Sequence, residues 1–525
     1  MEVARKARPS LLQSNTATFL LLCLSILTLP VTLLVTLAFY AYTTITGTSL
    51  DYRYHSDPCG RGTTVLVTGA RANKALTLCR AFKKAGCTVI LAEEAKWGTL
   101  TCARFSRAVD HFHILPDPAN EPDAYISAIQ RLVRLWNVGA WVPCSSVHAT
   151  MVDSEAAQQI AALSQRPHVH TCEPFIPFPE VCGTLHWKDQ FEDLCIELGY
   201  PVPESKKVTS VDDAVDFLHS TETLAKGHKY LLKSLSLDDL GRDDFTLFPL
   251  RSREETTRHL SGVPTPLSEK HPFLLQRFLF GNEYCTHVAA RDGAIVAFVA
   301  CRSNQLLMRY GDVRNLSAEE KEVGERLEAW SQEFLDRYKA KLGREGKTDW
   351  SYALTGHFSF DFIVEDGVVY VLECNVRAHT AVALFSDHPS LAEHYLGTAA
   401  PTEARVARPD PGTAPRSWLA HALPLALCRL LPRRLCALLH PQLLSTIYPS
   451  DAEDPTTSPP AGESAGLLLA RYAAGAERDG IWDSTDPVPF LVLCHVQWPW
   501  LLLRLVWRGV PWSRVNVSTS RVFEC

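Results

Sequence analysis

The sequence predicts an α/β protein made of two unlike parts, a parallel-sheet domain followed by a domain of antiparallel hairpins, framed by apolar segments at both ends. Three observations carry this expectation. Strand and helix patterns alternate from residue 63 to residue 143, as they do where helical crossovers link a parallel sheet. Two hairpin patterns with glycine turns follow, at 284–301 and 356–377. An uncharged stretch runs from Leu11 to Leu50, and a second apolar stretch, FLVLCHVQWPWLLLRLVW, lies at 490–507.

Within the first stretch, Phe19 to Tyr42 is long and apolar enough to span a bilayer. It is longer than the core of a cleaved signal peptide. Arg5, Lys6 and Arg8 precede it, which predicts a cytosolic N-terminus and, for a single span, a chain that continues outside. Pro30 lies mid-segment. A kink there allows a re-entrant or interfacial anchor with both ends in the cytosol.

In the parallel part, Thr63–Thr68, Val89–Ala92 and Ala140–Pro143 read as buried strands. Lys74–Lys84 and Tyr125–Trp136 have helical spacing of apolar residues. The βαβαβ order predicts a Rossmann-like sheet. The first turn, TGARANKAL, is not GxGxxG, so no dinucleotide site is expected. A small-molecule site at the strand ends and a plain strand–helix turn are equal readings there. Glu93, Ser145 and Ser146 at those ends read as capping or turn residues.

Pro174–Pro179 marks a boundary. Leu185–Leu198 then reads as one amphipathic helix with Lys188 in its first turn. KYLLK at 229–233 is a short strand with Lys233 at its exit. The loop from Ser234 to Arg242 holds a single glycine, unlike the usual phosphate loop. PFLLQRFLF at 272–280 is a strand ahead of Gly281-Asn282-Glu283. The backbone of Gln276, Arg277 and Phe278 can meet an adenine edge there and Glu283 the ribose hydroxyls, although Glu283 reads equally as a turn acid. Ser317 and Glu320 form a capping box at the head of a long helix over 316–341.

The stretch GHFSFDFIVEDGVVYVLECNVR at 356–377 organises the chain. A Glu365-Asp366-Gly367 turn joins two strands. Glu373 and Asn375, two apart on a strand, share a face, and pairing across the turn brings Asp361 to it. Two carboxylates and an amide oxygen suit Mg²⁺ carrying nucleotide phosphates. Arg377 adds a planar cation for a phosphoryl group.

The pattern Asp-x11-Glu-x-Asn-x-Arg resembles the metal-binding signature of the ATP-grasp ligase superfamily. From Thr63 to Leu396 the other pieces follow in that family's order. The resemblance implies an ATP-grasp fold preceded by a Rossmann-like domain. It implies Lys188 and Lys233 as nucleotide-phosphate lysines, Gln276, Arg277 and Phe278 as the adenine hinge, and Glu283 as the ribose acid. It further implies Asp361, Glu373 and Asn375 as Mg²⁺ ligands, with Mn²⁺ able to substitute, and Arg377 and Lys233 as catalytic cations. The glycine-poor loop after Lys233 departs from the pattern. KALTLCRAF, GNEYCTHVAARDG, VLECNVRAHTA and DPVPFLVLCHVQWP further resemble the ATP-grasp synthases that make mycosporine-glycine. That resemblance implies phosphorylation of an enolised cyclohexenone of the 4-deoxygadusol kind and its condensation with an amino acid, usually glycine. The alternative is a carboxylate–amine ligase that works through an acyl phosphate. His287 and His379 are candidates for substrate contact or proton transfer, although structural use of histidine is commoner.

The expected division is 1–58, N-terminal tail and apolar segment; 59–180, Rossmann-like domain; 181–400, ATP-grasp domain; and 401–525, linker and amphipathic or interfacial C-terminal region. Residues 451–464 are of low complexity, and 418–444 alternates Leu with Arg429, Arg433 and Arg434. In 490–507, Arg504 and Pro499 favour an interfacial segment over a span, with a buried core helix as the equal reading. The net charge of −6 excludes a general nucleic-acid binder. The 16 cysteines show no paired CxxC spacing and read as buried thiols. The expected setting is a membrane-anchored enzyme with its catalytic part facing the cytosol, where ATP is available.

Overall fold

The computed structural model describes residues 9–48, 62–166, 170–235, 244, 246–303, 308–399, 405–428, 430 and 465–524. The chain is α/β, with a parallel sheet followed by antiparallel sheets and one small mixed sheet. Helix α1 (Leu11–Ile45) comes first. Then β1 (Thr64–Thr68), α2 (Asn73–Lys84), β2 (Thr88–Glu94), β3 (His111–Leu115), α3 (Pro122–Leu135), β4 (Val138–Pro143), α4 (Thr150–Ser164) and β5 (Glu173–Pro174) build a parallel sheet of order β3-β2-β1-β4-β5. The chain leaves β1 toward β2 on one side and returns to β4 on the other, so the strand order reverses at the β1/β4 crevice. Val65, Val67, Val89 and Leu91 are fully buried under α2, as strands covered on both faces must be. The sequence reading missed β3 and α4. Strand β3 is an edge strand reading His-Phe-His, without an apolar run, and α4 is rich in alanine and weakly amphipathic.

The expected helix over 185–198 is two helices, α5 (Pro179–His186) and α6 (Lys188–Glu197). Trp187 is extended, with φ −83° and ψ 123°, and breaks the run. Lys188 therefore opens its own helix.

Strands β6 (Ser205–Val208), β7 (Tyr230–Ser234) and β8 (Phe273–Arg277) form a small antiparallel sheet of order β6-β8-β7. It is backed by α7 (Val211–Leu218), α8 (Thr221–Lys226) and α9 (Arg253–Ser261). Most of the loop expected over 234–242, Arg242 included, lies outside the described residues. A larger sheet holds β9 (Asn282–Arg291) and β10 (Ala294–Arg302). Further along the chain come β11 (Arg309–Tyr310), helix α10 (Ala318–Arg344), and β12 (Gly356–His357), β13 (Ser359–Glu365) and β14 (Val368–Asn375). The order in the larger sheet is β10-β9-β13-β14, with β12 also on β9.

Helix α10 packs beneath this sheet. Its Trp330 ring lies 4.9 Å from Phe362 and its Phe334 ring 5.2 Å from Phe360. Ser317 caps α10 by accepting from the Glu320 N–H, 3.2 Å away. The reciprocal half of the expected capping box is not made, because Glu320 turns to Arg302 and Tyr284. After α11 (Leu391–Leu396), β15 (Arg416–Ser417), α12 (Leu419–Cys428), α13 (Ala465–Ala473) and β16 (Arg478–Asp479), a helical run covers Val488–Arg508 and a last hairpin, β17 (Trp512–Asn516) and β18 (Arg521–Glu524), follows. The described cysteines are free, and most are buried. The expected stretches 451–464 and 431–444 fall outside the described residues.

Candidate functional site

Local chemistry aligns the β13–β14 hairpin. Asp366 and Gly367, with φ 51° and 77°, supply the two positive-φ positions of a tight hairpin turn. Asp361 then pairs directly with Glu373 and Ser359 with Asn375. Phe362 faces Val371, so Leu372 is the extra residue of a bulge. Paired residues of an antiparallel ladder share a face. On the other side β9 sets Cys285 against Asp361 and Glu283 against Ile363, so Glu283 joins Asp361, Glu373 and Asn375 on one face. The opposite face carries buried Phe360, Phe362 and Cys374 toward α10. Gly281 fixes the approach to β9, since a Cβ there would sit 2.2 Å from the Val364 carbonyl oxygen.

Asp361, Glu373 and Asn375 are tied to each other, and Glu373 to helix α6. Lys188 Nζ lies 2.5 Å from Glu373 Oε2. This cation holds the Glu373 carboxyl well below the usual carboxylate range. Asp361 is raised instead, by burial and then by the charges of Glu373 and Glu283. Asn375 Nδ2 donates to Asp361 Oδ2 at 3.0 Å and to Glu373 Oε1 at 3.3 Å, and Asn375 Oδ1 accepts from Arg377 at 2.5 Å. Lys233 Nζ donates to Gln276 Oε1 at 2.6 Å. Burial, with the charge of Lys188, brings the Lys233 ammonium down to about 8. Two lysines, one on α6 and one on β7, thus face the carboxylates of the β13–β14 hairpin.

The donor set suits a hard divalent cation. Two carboxylates converge on the Asn375 amide, and the amide's own N–H₂ supplies the positive end between them. A cation bound by one or two carboxylates and completed by phosphates and water is the usual habit of Mg²⁺. Among the described residues no group of three or more His, Cys, Asp or Glu is placed to hold a metal, so any cation here needs the amide and a ligand's oxygens.

The backbone N–H groups of the expected hinge residues are engaged within the protein. Gln276 sits in the central strand of the small sheet, paired to Ser205 and Leu231. The Arg277 N–H goes to the Glu204 carbonyl and the Phe278 N–H to the Lys229 carbonyl, both at 2.7 Å. The Arg277 side chain is committed to Glu365 at 2.8 Å. The Phe280 N–H also goes to Glu365. Leu279 N–H, which makes no hydrogen bond among the described residues, is the donor left for a ligand on this strand exit. The Phe278 and Phe280 rings meet edge to face at 4.9 Å, and Phe280 is exposed.

The two candidate histidines part company. His287 is buried and fully engaged: its Nδ1 accepts the His379 N–H at 3.2 Å and its Nε2 meets the Tyr395 hydroxyl at 2.9 Å. The same hydroxyl meets His357 Nε2 at 3.0 Å. Burial keeps His287 neutral. Its place is in a buried chain of hydrogen bonds. His379 also stays neutral, pushed down to about 3 by burial and the nearby cations Lys74 and Arg377. Its Nδ1 accepts from the Ala381 N–H at 3.2 Å, which leaves the proton on Nε2.

Sequence reasoning missed two residues. Lys74, in the first turn of α2, is buried with Nζ on the Ala378 carbonyl at 2.7 Å. Burial brings it down to about 7. His186, at the end of α5, is lowered to about 4 by burial and by Arg377. Its buried Nε2 has no hydrogen-bond partner among the described residues, and a buried polar atom of this kind is one that a ligand or water can satisfy. The charge of Arg377 acts on Lys74, His186 and His379 alike, so all three lie within electrostatic reach of one guanidinium. Nothing in the sequence marks Lys74, which reads as a surface lysine in KALTLCRAF. Glu93 accepts the Arg71 N–H at 2.5 Å and the Glu94 N–H at 3.0 Å, holding the β1–α2 turn, while α2 itself has no side-chain cap. Ser145 meets Thr68 across the β1/β4 crevice at 3.2 Å.

No protein-family model matches the chain, and no curated protein matches it in sequence. Similar solved structures exist. Phosphoribosylamine–glycine ligase from Thermotoga maritima is 17% identical, with 66% of this chain and 78% of that one covered and a TM-score of 0.42. Carboxyaminoimidazole ribonucleotide synthase from Aspergillus clavatus, complexed with ATP, is 12% identical, with coverage of 70% and 86% and a TM-score of 0.46. L-amino acid ligase from Bacillus licheniformis is 12% identical, with coverage of 64% and 70% and a TM-score of 0.40.

Proposed function

We propose that this chain is an ATP- and Mg²⁺-dependent ligase of the ATP-grasp type that joins an amine to an activated oxygen-bearing carbon. The observation that carries the reading is the approach of Lys188, on α6, and Lys233, on β7, to the Asp361, Glu373 and Asn375 cluster, anchored by the 2.5 Å Lys188–Glu373 contact. Few functions other than holding a polyphosphate use two cations, two acids and an amide on facing surfaces.

In this reading Lys188 and Lys233 neutralise the nucleotide phosphates. Glu283 takes the ribose hydroxyls. Leu279 N–H and the carbonyls of 276–278 meet the adenine edge, and Phe280 covers it. Asp361, Glu373 and Asn375 hold Mg²⁺. Bound there, Mg²⁺ screens the phosphate oxygens and withdraws charge from them. Arg377 fixes the transferred phosphoryl group through its planar fork.

The acceptor lies beside Arg377, against His186, His379 and Lys74. An enolised cyclohexenone of the 4-deoxygadusol kind is a vinylogous acid whose hydroxyl leaves poorly. Phosphorylated, that oxygen departs as phosphate when the amine of glycine adds, giving an enaminone. Neutral His379 donates from Nε2 to the acceptor oxygen. Lys74, near the midpoint of its titration at neutral pH, takes the proton released by the amine. The divisions at 58, 180 and 400 and the cytosolic placement of the catalytic part belong to the same reading.

The test is incubation of the purified protein with ATP, Mg²⁺, glycine and 4-deoxygadusol, with ADP release and product mass as readouts. A new ultraviolet-absorbing product at the mass of the condensation supports the specific acceptor. ADP release only with carboxylic acids moves the assignment to a carboxylate–amine ligase. No nucleotide binding at all refutes the reading.

A further inference from the structure

Helix α1 is uncharged over all of Leu11–Ile45, and six of its nine serines and threonines fall on one line, while Thr16, Thr28 and Thr44 lie outside it and bond carbonyls of the helix itself. Ser14, Thr18, Ser25, Thr32, Thr36 and Thr43 recur at intervals of four and seven. At 100° per residue they lie within roughly 40° of arc. This stripe faces the protein. Ser14 Oγ and Thr18 Oγ1 bond Trp512, at 3.1 and 3.0 Å. Ser25 and Thr32 take the two nitrogens of His495, at 3.0 and 2.6 Å. Arg107 donates to Thr43 at 2.7 Å and lies over the Tyr40 ring.

The contacts run from Ser14 to Thr43, roughly 45 Å of helix axis at 1.5 Å per residue. That exceeds the hydrocarbon thickness of about 30 Å. A helix clamped over this length that stood across a bilayer would leave Trp512 and Arg107 at its opposite faces and draw His495 into the hydrocarbon. Pro30 does not interrupt the helix. The opposite face is bare: Leu27 and Leu34 are 75% and 70% exposed. Alongside, the Val488–Arg508 run exposes Trp500, Leu503 and Val506, and Trp507 is 86% exposed. These four share one arc of that helix.

The next arc is basic. Arg504 and Arg508 line a cavity of about 320 Å³ with Lys96, Trp97, Leu501 and Glu524. The Arg504 guanidinium lies 5.8 Å from the Trp97 ring centre, and Arg508 pairs with Glu524 at 2.6 Å. Three cations against one acid at the rim of an uncharged plate complement a surface that is apolar within and anionic at its edge.

We infer that α1 and the Val488–Arg508 run form an in-plane dock for one leaflet of an anionic phospholipid membrane, with a headgroup phosphate at the Lys96–Arg504–Arg508 rim. The chain lies on the membrane and does not cross it. The hydroxyl stripe supplies the specificity of this arrangement, since it gives α1 a preferred side toward the body where its aliphatic residues give none.

The test uses the full chain, purified in detergent and added to preformed sealed vesicles of phosphatidylcholine with and without phosphatidylserine. Flotation is expected with both, and tighter with phosphatidylserine. Tags at both termini should be cut by external protease. Leu27→Glu with Leu34→Glu should abolish flotation while circular dichroism stays native. Arg504→Gln with Arg508→Gln should keep flotation on phosphatidylcholine and weaken partition to the serine lipid about fivefold per charge removed. A terminus protected inside sealed vesicles overturns the inference in favour of a span. Flotation unchanged by the leucine substitutions also overturns it, as does a stable dimer that hides the plate and binds no vesicle.

Discussion

Lys233 offers a direct test of the proposed nucleotide site, because burial and the charge of Lys188 bring its ammonium down from 10.5 to about 8. Only the protonated form neutralises a phosphate. With that value about nine-tenths of the chains carry the charge at pH 7 and about one-tenth at pH 9. Apparent affinity scales with the competent fraction, so the dissociation constant for a Mg²⁺-bound, non-hydrolysable ATP analogue should rise about tenfold from pH 7 to pH 9. The direction follows from the depressed value: the site is competent below 8 and loses competence as pH rises through it. Bound phosphate charge restores the proton, so calorimetry at pH 8 in buffers of different ionisation enthalpy should register uptake of about half a proton. Lys233→Arg keeps the charge at every pH in this range and should flatten the affinity profile. A wild-type affinity that does not change between pH 7 and 9, or an equal alkaline loss in Lys233→Arg, would refute the assignment of Lys233 to the phosphates.

Three further outcomes follow from the same geometry. Glu373→Gln removes one of the two acids and the partner of Lys188, and should lower ADP release by about a hundredfold or more, measured in a coupled assay on protein with native circular dichroism. Tyr395→Phe deletes the hydroxyl shared by His287 and His357; stability should fall by about 1–3 kcal/mol in denaturant titration, with ADP release per folded molecule unchanged, which would place His287 in the framework. Gly281→Ala sets a methyl 2.2 Å from the Val364 oxygen, so β13 must shift; a loss of about 1–3 kcal/mol with a raised KM for ATP is expected from thermal melts and initial rates.

The central hairpin was legible because its register follows from local chemistry. Asp366-Gly367 dictates the turn, and alternation carries the rest, so Asp361 against Glu373 could be anticipated. The bulge at Leu372 could not, since one inserted residue leaves no mark in a short apolar strand. Strand β3 was hidden by its histidines, whose Trp136 contact is a tertiary feature. The break at Trp187 was equally hidden, because the helical spacing continues through it. The backbone donors of the expected hinge were not legible, since pairing to Glu204 and Lys229 decides which N–H is engaged. Lys74 was illegible for a related reason: nothing within α2 shows that a distant loop, through the Ala378 carbonyl, covers it. The hydroxyl stripe on α1, by contrast, was present in the sequence as a four-and-seven spacing and becomes informative only once a body is seen to lie against it.

The Asn375 amide has a consequence for the order of events. By donating to both acids while its oxygen accepts from Arg377, it makes the resting site internally neutral in its hydrogen bonding. A bare ion must displace that arrangement with little in return, whereas an ion already chelated by a triphosphate also brings oxygens for Arg377 and the lysines. On the proposed reading, free divalent ions are therefore expected to bind this cluster more weakly than ions that arrive with the nucleotide.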